Sequence, residues 1–175
     1  MKRMLKFAPL LVILAFAGCN IITGNVLIVI ELDDATLQTN DDFKVWKVSK
    51  EEHGEWKDHE ADIKHVVDLG FSLILDNSRG TSLATGDFYV SKDGTLGTAA
   101  EVIANATMVL EDITVDPGAT RKITWQQSYE FLGNFDTLKK FVMDGEFYFY
   151  AVGIGTPLDL DLKKVAIILT INAKP

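Results

Sequence analysis

The stretch VVDLGFSLILD, residues 66–76, is long, apolar and alternating, and it indicates a β-rich fold. Phe71, Leu73 and Leu75 occupy every second position, a pattern typical of a strand that turns one face to a core. The next strand-like run, residues 83–91, leads into the turn sequence KDG at 92–94. Strands joined through short turn-rich connections favour an antiparallel sheet.

Working outward from this stretch, similar runs are predicted on both sides of it. The further strands are predicted at 25–32, 43–49, 107–115, 119–126, 146–152 and 160–171. A second turn is predicted at Asp116-Pro117-Gly118. The alanines of 98–106 fit either a helical turn or a strand.

One amphipathic helix is predicted, with Asn134 as its N-cap and Gly145 just past its end. Its apolar side carries Phe135, Leu138, Phe141 and Val142. About eight strands and one short helix predict a mainly β protein, an antiparallel β-sandwich.

Composition excludes several classes of protein. The chain has 175 residues, 47% of them hydrophobic, which is ordinary for a globular protein and too high for a disordered one. A single cysteine excludes a disulfide framework and a Cys-based zinc site. A formal net charge of −8 without a segregated basic patch argues against a nucleic-acid partner.

Residues 1–18 have the pattern of a signal peptide. Lys2, Arg3 and Lys6 form a basic start, and an apolar run follows as far as Ala17. Twelve residues of helix, 7–18, rise about 18 Å, which is too short for a hydrocarbon core of roughly 30 Å. We therefore expect an export signal rather than a membrane span.

The end of this signal, Leu14-Ala15-Phe16-Ala17-Gly18-Cys19, resembles the lipobox of bacterial lipoproteins. The resemblance implies cleavage before Cys19, acylation of Cys19 and a membrane partner reached through the lipid. Asn20 is not the Asp that often retains lipoproteins in the inner membrane, so the resemblance favours the outer membrane of the cell envelope. Loss of the signal would leave 14 basic and 25 acidic residues, a net charge of −11.

The expected domain organisation has three parts. Residues 1–18 form the signal peptide, 19–25 the lipidated cysteine with a short tether, and 26–175 a single β-sandwich domain. Since residues 20–25 reach at most about 20 Å, the domain is expected to lie close to the membrane.

From Val67 onward the order of elements resembles the LEA14/WHy (late-embryogenesis-abundant group 2) family. The resemblance rests on three segments: the long strand ending Leu75-Asp76-Asn77-Ser78, the Pro117-Gly118 turn before Ile123-Thr124-Trp125, and the helix that feeds 144–153. It implies a two-sheet sandwich without catalytic residues, associated with water-stress tolerance or unknown roles. A generic immunoglobulin-like sandwich is the alternative.

The three histidines fall in one acidic segment, 51–65, as His53, His59 and His65. Imidazole and carboxylate are good zinc or copper ligands, yet six-residue spacing points the rings to different sides of a helix. On a strand they would stand about 20 Å apart. A solvated hairpin turning near His53 and Gly54 is the favoured interpretation, and metal binding is the alternative.

Other groups of residues are weaker candidates for a functional site. The acidic loop Asp33–Asp42 could hold calcium but lacks the ligand spacing of an EF-hand. Gly153-Ile154-Gly155 follows a strand but does not open a helix, so no nucleotide-binding turn is expected. GxSxG and P-loop motifs do not occur in the sequence, and the acidic pair Glu111-Asp112 has no special signature. No enzyme activity, cofactor or catalytic residue is therefore predicted.

The strand Phe147-Tyr148-Phe149-Tyr150 puts aromatic side chains on both of its faces. The favoured interpretation is a central strand with Phe inward and Tyr covered by a helix or loop. The alternative is an exposed tyrosine ladder that grips a partner. Taken together, the sequence predicts a non-enzymatic, lipid-anchored envelope protein that binds, scaffolds or protects against stress, its protein partner unknown. A metal-binding envelope lipoprotein is the alternative.

Overall fold

The computed structural model describes residues 24–59 and 66–173. These ranges contain nine strands and four short helices. The strands are β1 (Gly24–Glu31), β2 (Ala35–Gln38), β3 (Phe43–Ser49), β4 (Val66–Asp76), β5 (Ala84–Ser91), β6 (Thr107–Val115), β7 (Thr120–Ile123), β8 (Glu146–Ile154) and β9 (Asp159–Ala173). The helices are α1 (Gly54–Asp58), α2 (Ala99–Asn105), α3 (Trp125–Ser128) and α4 (Phe135–Asp144).

The strands form two antiparallel sheets. Sheet A has the order β1-β9-β4-β7, and β2 pairs with the other end of β9. Sheet B has the order β3-β8-β5-β6. The predicted mainly β, antiparallel β-sandwich is confirmed.

Strand β9 has 15 residues and pairs with β1 along one part of its length and with β2 along another. It bulges between these two pairings. Lys164 adopts a left-handed φ of 51°, and its N–H donates to Asp34 Oδ1 at 2.8 Å. Opposite the bulge, the pairing with β4 shifts between Ser72 and Ile74. A bulge adds one residue to a strand and turns the chain locally. Here it lets one strand continue past the corner at which β1 ends.

The core lies between the two sheets. Phe149 of sheet B stacks on Phe71 of sheet A, with ring centroids 5.5 Å apart, and on Phe88 of its own sheet at 5.6 Å. All three rings are fully buried. Helix α4 closes one side of the sandwich with Leu138 and Val142. Its predicted bounds are confirmed, including the left-handed Gly145 that ends it.

Three local expectations are wrong. Four helices, rather than one, occur in the described ranges; the segment 98–106 resolves as α2, capped by Thr98. The strand predicted at 119–126 stops at Ile123, because Thr124 and Gln127 form a capping box that starts α3. Residues 54–58 form α1 instead of the expected solvated hairpin, because Trp56, 1% exposed, packs into the core.

Candidate interaction surface

The outer face of sheet B is covered by the chain itself. Tyr150 and Val152 of β8 point away from the main core, yet they are 0% and 1% exposed. They form a second apolar cluster with Tyr89 and with Val102 of α2. The Tyr150 hydroxyl donates to the carbonyl of Asp93 at 2.6 Å. The favoured interpretation of this strand, inward Phe and covered Tyr, is therefore confirmed, although the cover comes from α2 and the loop before it.

The outer face of sheet A differs. Cross-strand pairing places Leu27 beside Thr170, and Val29 beside Ile168, with both side chains directed outward. Leu27 is 53% exposed and Val29 is 37% exposed. An outward face of an antiparallel sheet is normally polar. These exposed apolar side chains on neighbouring rows therefore stand out.

Helix α3 covers only the middle of this face. Gly70 lies opposite Ile168, and a Cβ on Gly70 would come within 2.7 Å of Trp125 Nε1. The glycine thus lets the indole lie directly on the sheet. Ser128 fastens the helix, since its hydroxyl accepts the N–H of Phe71 at 3.0 Å and donates to the carbonyl of Trp125 at 2.7 Å.

Tyr129 extends this aromatic cover. Its ring lies 6.1 Å from that of Trp125, it is 40% exposed, and burial together with a hydrogen bond to Asp68 raises the pKa of its hydroxyl well above the usual value. Val67, the extra residue where β4 and β9 change register, is 52% exposed beside Asp68. We call the surface made by Leu27, Val29, Val67, Trp125, Tyr129 and Ile168 the apolar half of the outer face.

Two buried polar atoms on this face lack hydrogen-bond partners within the described ranges. They are the Nε1 of Trp125 and the Oγ1 of Thr170. Both belong to the apolar half or its immediate surroundings, since Thr170 pairs with Leu27. An unsatisfied buried donor costs about 1–3 kcal/mol, so apolar packing outweighs polar pairing at this position.

The other end of the same face is charged. Asp76 and Asp161 are directly opposite each other, and Lys163 bridges them at 2.7 and 3.3 Å. Arg79 pairs with Asp161 at 2.9 Å and with Asp159 at 2.8 Å. The hydrogen bond from Lys163 and those from the neighbouring hydroxyl and backbone groups hold the pKa of Asp76 well below its usual range. The outer face of sheet A is therefore divided into an apolar half and an ion-pair network.

Sheet B carries a carboxylate whose pKa is shifted in the opposite direction to that of Asp76. Asp87 is 8% exposed on the covered outer face, where its Oδ1 accepts the N–H of Asp112 at 2.8 Å. Burial raises the pKa of Asp87, and the nearby Asp112 and Glu111 add to the effect. Asp112 is left-handed, with φ of 59°, at a bulge in β6. The acidic pair singled out in the sequence thus shapes an edge strand.

The three histidines considered as alternative metal ligands are only partly described. His53 precedes α1 and His59 follows it, while His65 lies outside the described residues. His53 packs against the ring of Trp56, with centroids 6.5 Å apart. No three His, Cys, Asp or Glu side chains among residues 24–59 and 66–173 are grouped to hold a metal ion. A metal site that includes His65 stays an untested alternative.

The acidic loop Asp33–Asp42 contains a strand that the sequence did not reveal. Residues 35–38 form β2, and the backbones of Gln38 and Asp41 exchange two hydrogen bonds of 2.8 Å. Asp34 is occupied by the N–H of Lys164, and the carbonyl of Asp33 accepts the indole N–H of Trp46. These contacts give the aspartates structural roles at the corner between β1 and β2.

The predicted signal peptide, Cys19 and the predicted tether as far as residue 23 lie outside the described residues. Within the part of the chain that is described, no helix has the length and apolar character needed to cross a membrane. Comparison with protein families and with curated proteins yields no match for this chain.

Sequence reasoning missed the residues that decide this surface. Gly70 is a single glycine inside a strand, a signal of close approach by another group, and the group is Trp125. Asn77 is 1% exposed, and its amide donates to the carbonyls of Ser82, Val115 and Asp116, which ties two loops to the end of β4. The polar character of Asn77 after an apolar strand was the available signal.

Proposed function

We propose that this protein is a lipoprotein of the bacterial cell envelope, lipidated at Cys19, whose β-sandwich acts by binding or scaffolding rather than by catalysis. The observation that carries the proposal is the lipobox-like segment Leu14–Cys19 immediately before the folded body. The first strand, β1, begins at Gly24, five residues after Cys19.

The short separation constrains what the protein can do. Five residues span at most about 17 Å, so an acylated Cys19 would keep the sandwich beside the bilayer surface. Its binding surfaces would then meet only partners that are themselves at or near the membrane. The acidic body gains nothing from an anionic lipid surface, so the acyl chains have to supply the attachment.

The kind of partner is inferred from the chemistry of the exposed surface. The resemblance to the LEA14/WHy family favours a stress-protective scaffold, which requires exposed binding surface and no catalytic group. The exposed side chains of sheet A provide such a surface, with Leu27 at 53% and Val67 at 52% exposure. Outer-membrane localisation follows from Asn20, on the sorting rule that the lipoprotein resemblance implies.

Metabolic labelling tests the anchor. Cells that express the full chain are grown with an alkyne analogue of palmitate, and the protein is coupled to a fluorophore and separated by membrane fractionation. The wild type is expected to carry the label in the outer-membrane fraction, and Cys19→Ala is expected to lose the label. Asn20→Ala is the matched control and keeps the label, because the acylated thiol is intact.

Localisation and mass provide the remaining readouts. Asn20→Asp is expected to keep the label but to move to the inner membrane. Mass spectrometry of the mature N-terminal peptide is expected to begin at an acylated Cys19. A free thiol at Cys19, or label that persists in Cys19→Ala, would contradict the proposal.

A further inference from the structure

We propose that the apolar half of the outer face of sheet A lies against the bilayer that holds the anchor, so that the sandwich is docked on the membrane in one orientation. The inference rests on the proposed lipidation of Cys19 and deepens it. It names the lipid surface as the occupant of a sheet face whose apolar half is left exposed by the described residues 24–59 and 66–173.

Position along the chain is the first argument. Leu27 lies three residues after Gly24, where β1 begins, so it is at most eight residues from the anchored Cys19. Eight residues span no more than about 28 Å. A surface this close to its target meets it at a high effective concentration, and weak contacts then suffice to orient the body.

Register places the rest of the apolar half at the same end of the sheet. Leu27 and Asp68 flank Thr170 on one row, and Val29 and Gly70 flank Ile168 on the next. Trp125 rests on Gly70, and Tyr129 is bonded to Asp68. The exposed apolar side chains therefore surround the end of the sheet from which the N-terminal chain leaves.

Side-chain chemistry favours a bilayer interface. Tyr129 is of a residue type that concentrates at the boundary between acyl chains and headgroups, because its apolar ring carries one polar atom. Trp125 contributes only the exposed part of its ring, since its Nε1 is buried against Gly70. Leu27, Val29 and Val67 add aliphatic area of the kind that is buried at the acyl boundary. The face thus presents aliphatic and amphipathic groups together, next to the anchor.

The charged side chains near the apolar half determine which lipid headgroups it can dock on. Asp68 borders the apolar half, and Glu31 follows Val29 along β1. Lys164 lies near the same hollow as Val29 and Glu31, but Glu31, Asp34 and Asp68 outnumber it, so an anionic headgroup layer would repel this face. Docking is therefore expected to be strongest on zwitterionic lipid and to weaken as anionic lipid is added.

Among the described residues, four other large apolar side chains are exposed. Ile103 lies on α2 and Met143 on α4, whereas Leu83 and Ile154 lie together at the opposite end of the sandwich, where β5 begins and β8 ends.

Tryptophan quenching tests the orientation. The full-length protein is purified from membranes and reconstituted in phosphatidylcholine vesicles whose acyl chains are brominated. Trp46 and Trp56 are 7% and 1% exposed, so Trp125 is the indole placed to be quenched by lipid. Wild-type protein is expected to be quenched relative to vesicles without bromine, and Trp125→Phe is expected to lose that component.

Matched variants locate the contact. The double variant Leu27→Glu with Val29→Glu is expected to lose the quenching while retaining vesicle binding and its folded β spectrum, since both side chains point outward. The control, Leu83→Glu with Ile154→Glu, introduces the same charges at equally exposed positions and is expected to be quenched like the wild type. Adding phosphatidylglycerol is expected to reduce the wild-type quenching.

The outcomes separate this inference from the proposed function. Acylated wild-type protein that shows no quenching, or the same quenching as the Leu27 and Val29 double variant, would overturn the docked orientation and leave the anchor standing. Dimers of the acylated protein that the double variant abolishes would assign the face to a second copy instead. An unacylated Cys19, read from the mass of the N-terminal peptide, would contradict both proposals.

Discussion

The two outer faces of the sandwich are built from similar strands and end in opposite states. On sheet B, Tyr150 and Val152 point away from the core and are nevertheless fully buried under α2 and the loop before it. On sheet A, Leu27 and Val29 point away from the core and stay exposed. Alternation along a strand therefore determines which way a side chain points, but not whether anything covers it.

The difference lies in the connections. The connection between β5 and β6, residues 92–106, folds back over sheet B and carries Val102 into a second cluster. The connection after β7 brings only the short α3 onto sheet A, where Trp125 covers Gly70. Within the described part of the chain, one face is thus closed by its own connection, and the other keeps exposed apolar side chains.

The largest expected effect compares a tyrosine on each face. Tyr150→Ala leaves a cavity under α2 and is expected to lower the free energy of unfolding by about 3–5 kcal/mol, as for other large buried rings. Tyr129→Ala, at 40% exposure, is expected to lower it by only about 1 kcal/mol. Urea unfolding followed by circular dichroism measures both. Equal losses would mean that the cover on sheet A matters as much as that on sheet B.

A smaller loss of stability is expected when a methyl group is added at Gly70, under the indole of Trp125. In Gly70→Ala the new methyl group would meet Trp125 within 2.7 Å and Ser128 within 2.9 Å, so α3 has to move. Overpacking of this kind costs about 1–3 kcal/mol. Gly54→Ala is the control, because nothing lies within 4 Å of its added Cβ. Tryptophan emission is expected to shift to the red in Gly70→Ala alone; unchanged emission would show that α3 does not rest on Gly70.

The smallest expected effect is on the pH dependence of stability, and it compares Asp76 of sheet A with Asp87 of sheet B. The folded-state pKa of Asp76 is lowered, so its contribution to stability is present above the ordinary value of about 3.9 and is lost as the pH falls through the folded value. The folded-state pKa of Asp87 is raised, so its charged form is disfavoured in the folded protein at neutral pH.

Asparagine variants give opposite signs in this comparison. At pH 7, Asp76→Asn is expected to lower the urea midpoint, and Asp87→Asn is expected to raise it, since the amide oxygen still accepts the N–H of Asp112. Near pH 2 the difference for Asp87→Asn is expected to shrink because the wild-type carboxyl becomes protonated. The difference for Asp76→Asn is expected to shrink because the unfolded wild-type chain then binds a proton at Asp76 that the folded protein still excludes. A drop at pH 7 in Asp87→Asn would mean that the hydrogen bond to Asp112 outweighs the cost of burying the charge.

Much of the fold was predictable from local patterns. The bounds predicted for β3, β4 and β6 agree with the structure, as do those of α4, because alternation and capping are properties of neighbouring residues. Two local expectations were wrong for different reasons. Trp56 packs into the core, a tertiary contact, and a helix replaces the expected hairpin. The capping box of Thr124 and Gln127 is a local signal that the sequence reading missed, and it ends β7 early.

The candidate surface was hardly predictable. Trp125 and Gly70 are 55 residues apart in sequence, and only the fold stacks one on the other. Residue type also did not predict the corner between β1 and β2, where the Asp34 carboxylate accepts the N–H of Lys164 and Asp33 offers its backbone carbonyl to Trp46. Residue type alone says which chemistry is possible, whereas position in the fold says which groups meet.

By itself the sequence determined the strand alternation, the bounds of α4 and the mainly β architecture, because these follow from period, turn residues and backbone geometry over a few residues. It also carries the lipobox-like segment, a local pattern of the same kind. Only the tertiary structure decided which outer face is covered. Cover depends on where a distant connection packs, and that packing is the sum of many long-range contacts that no short stretch of sequence contains.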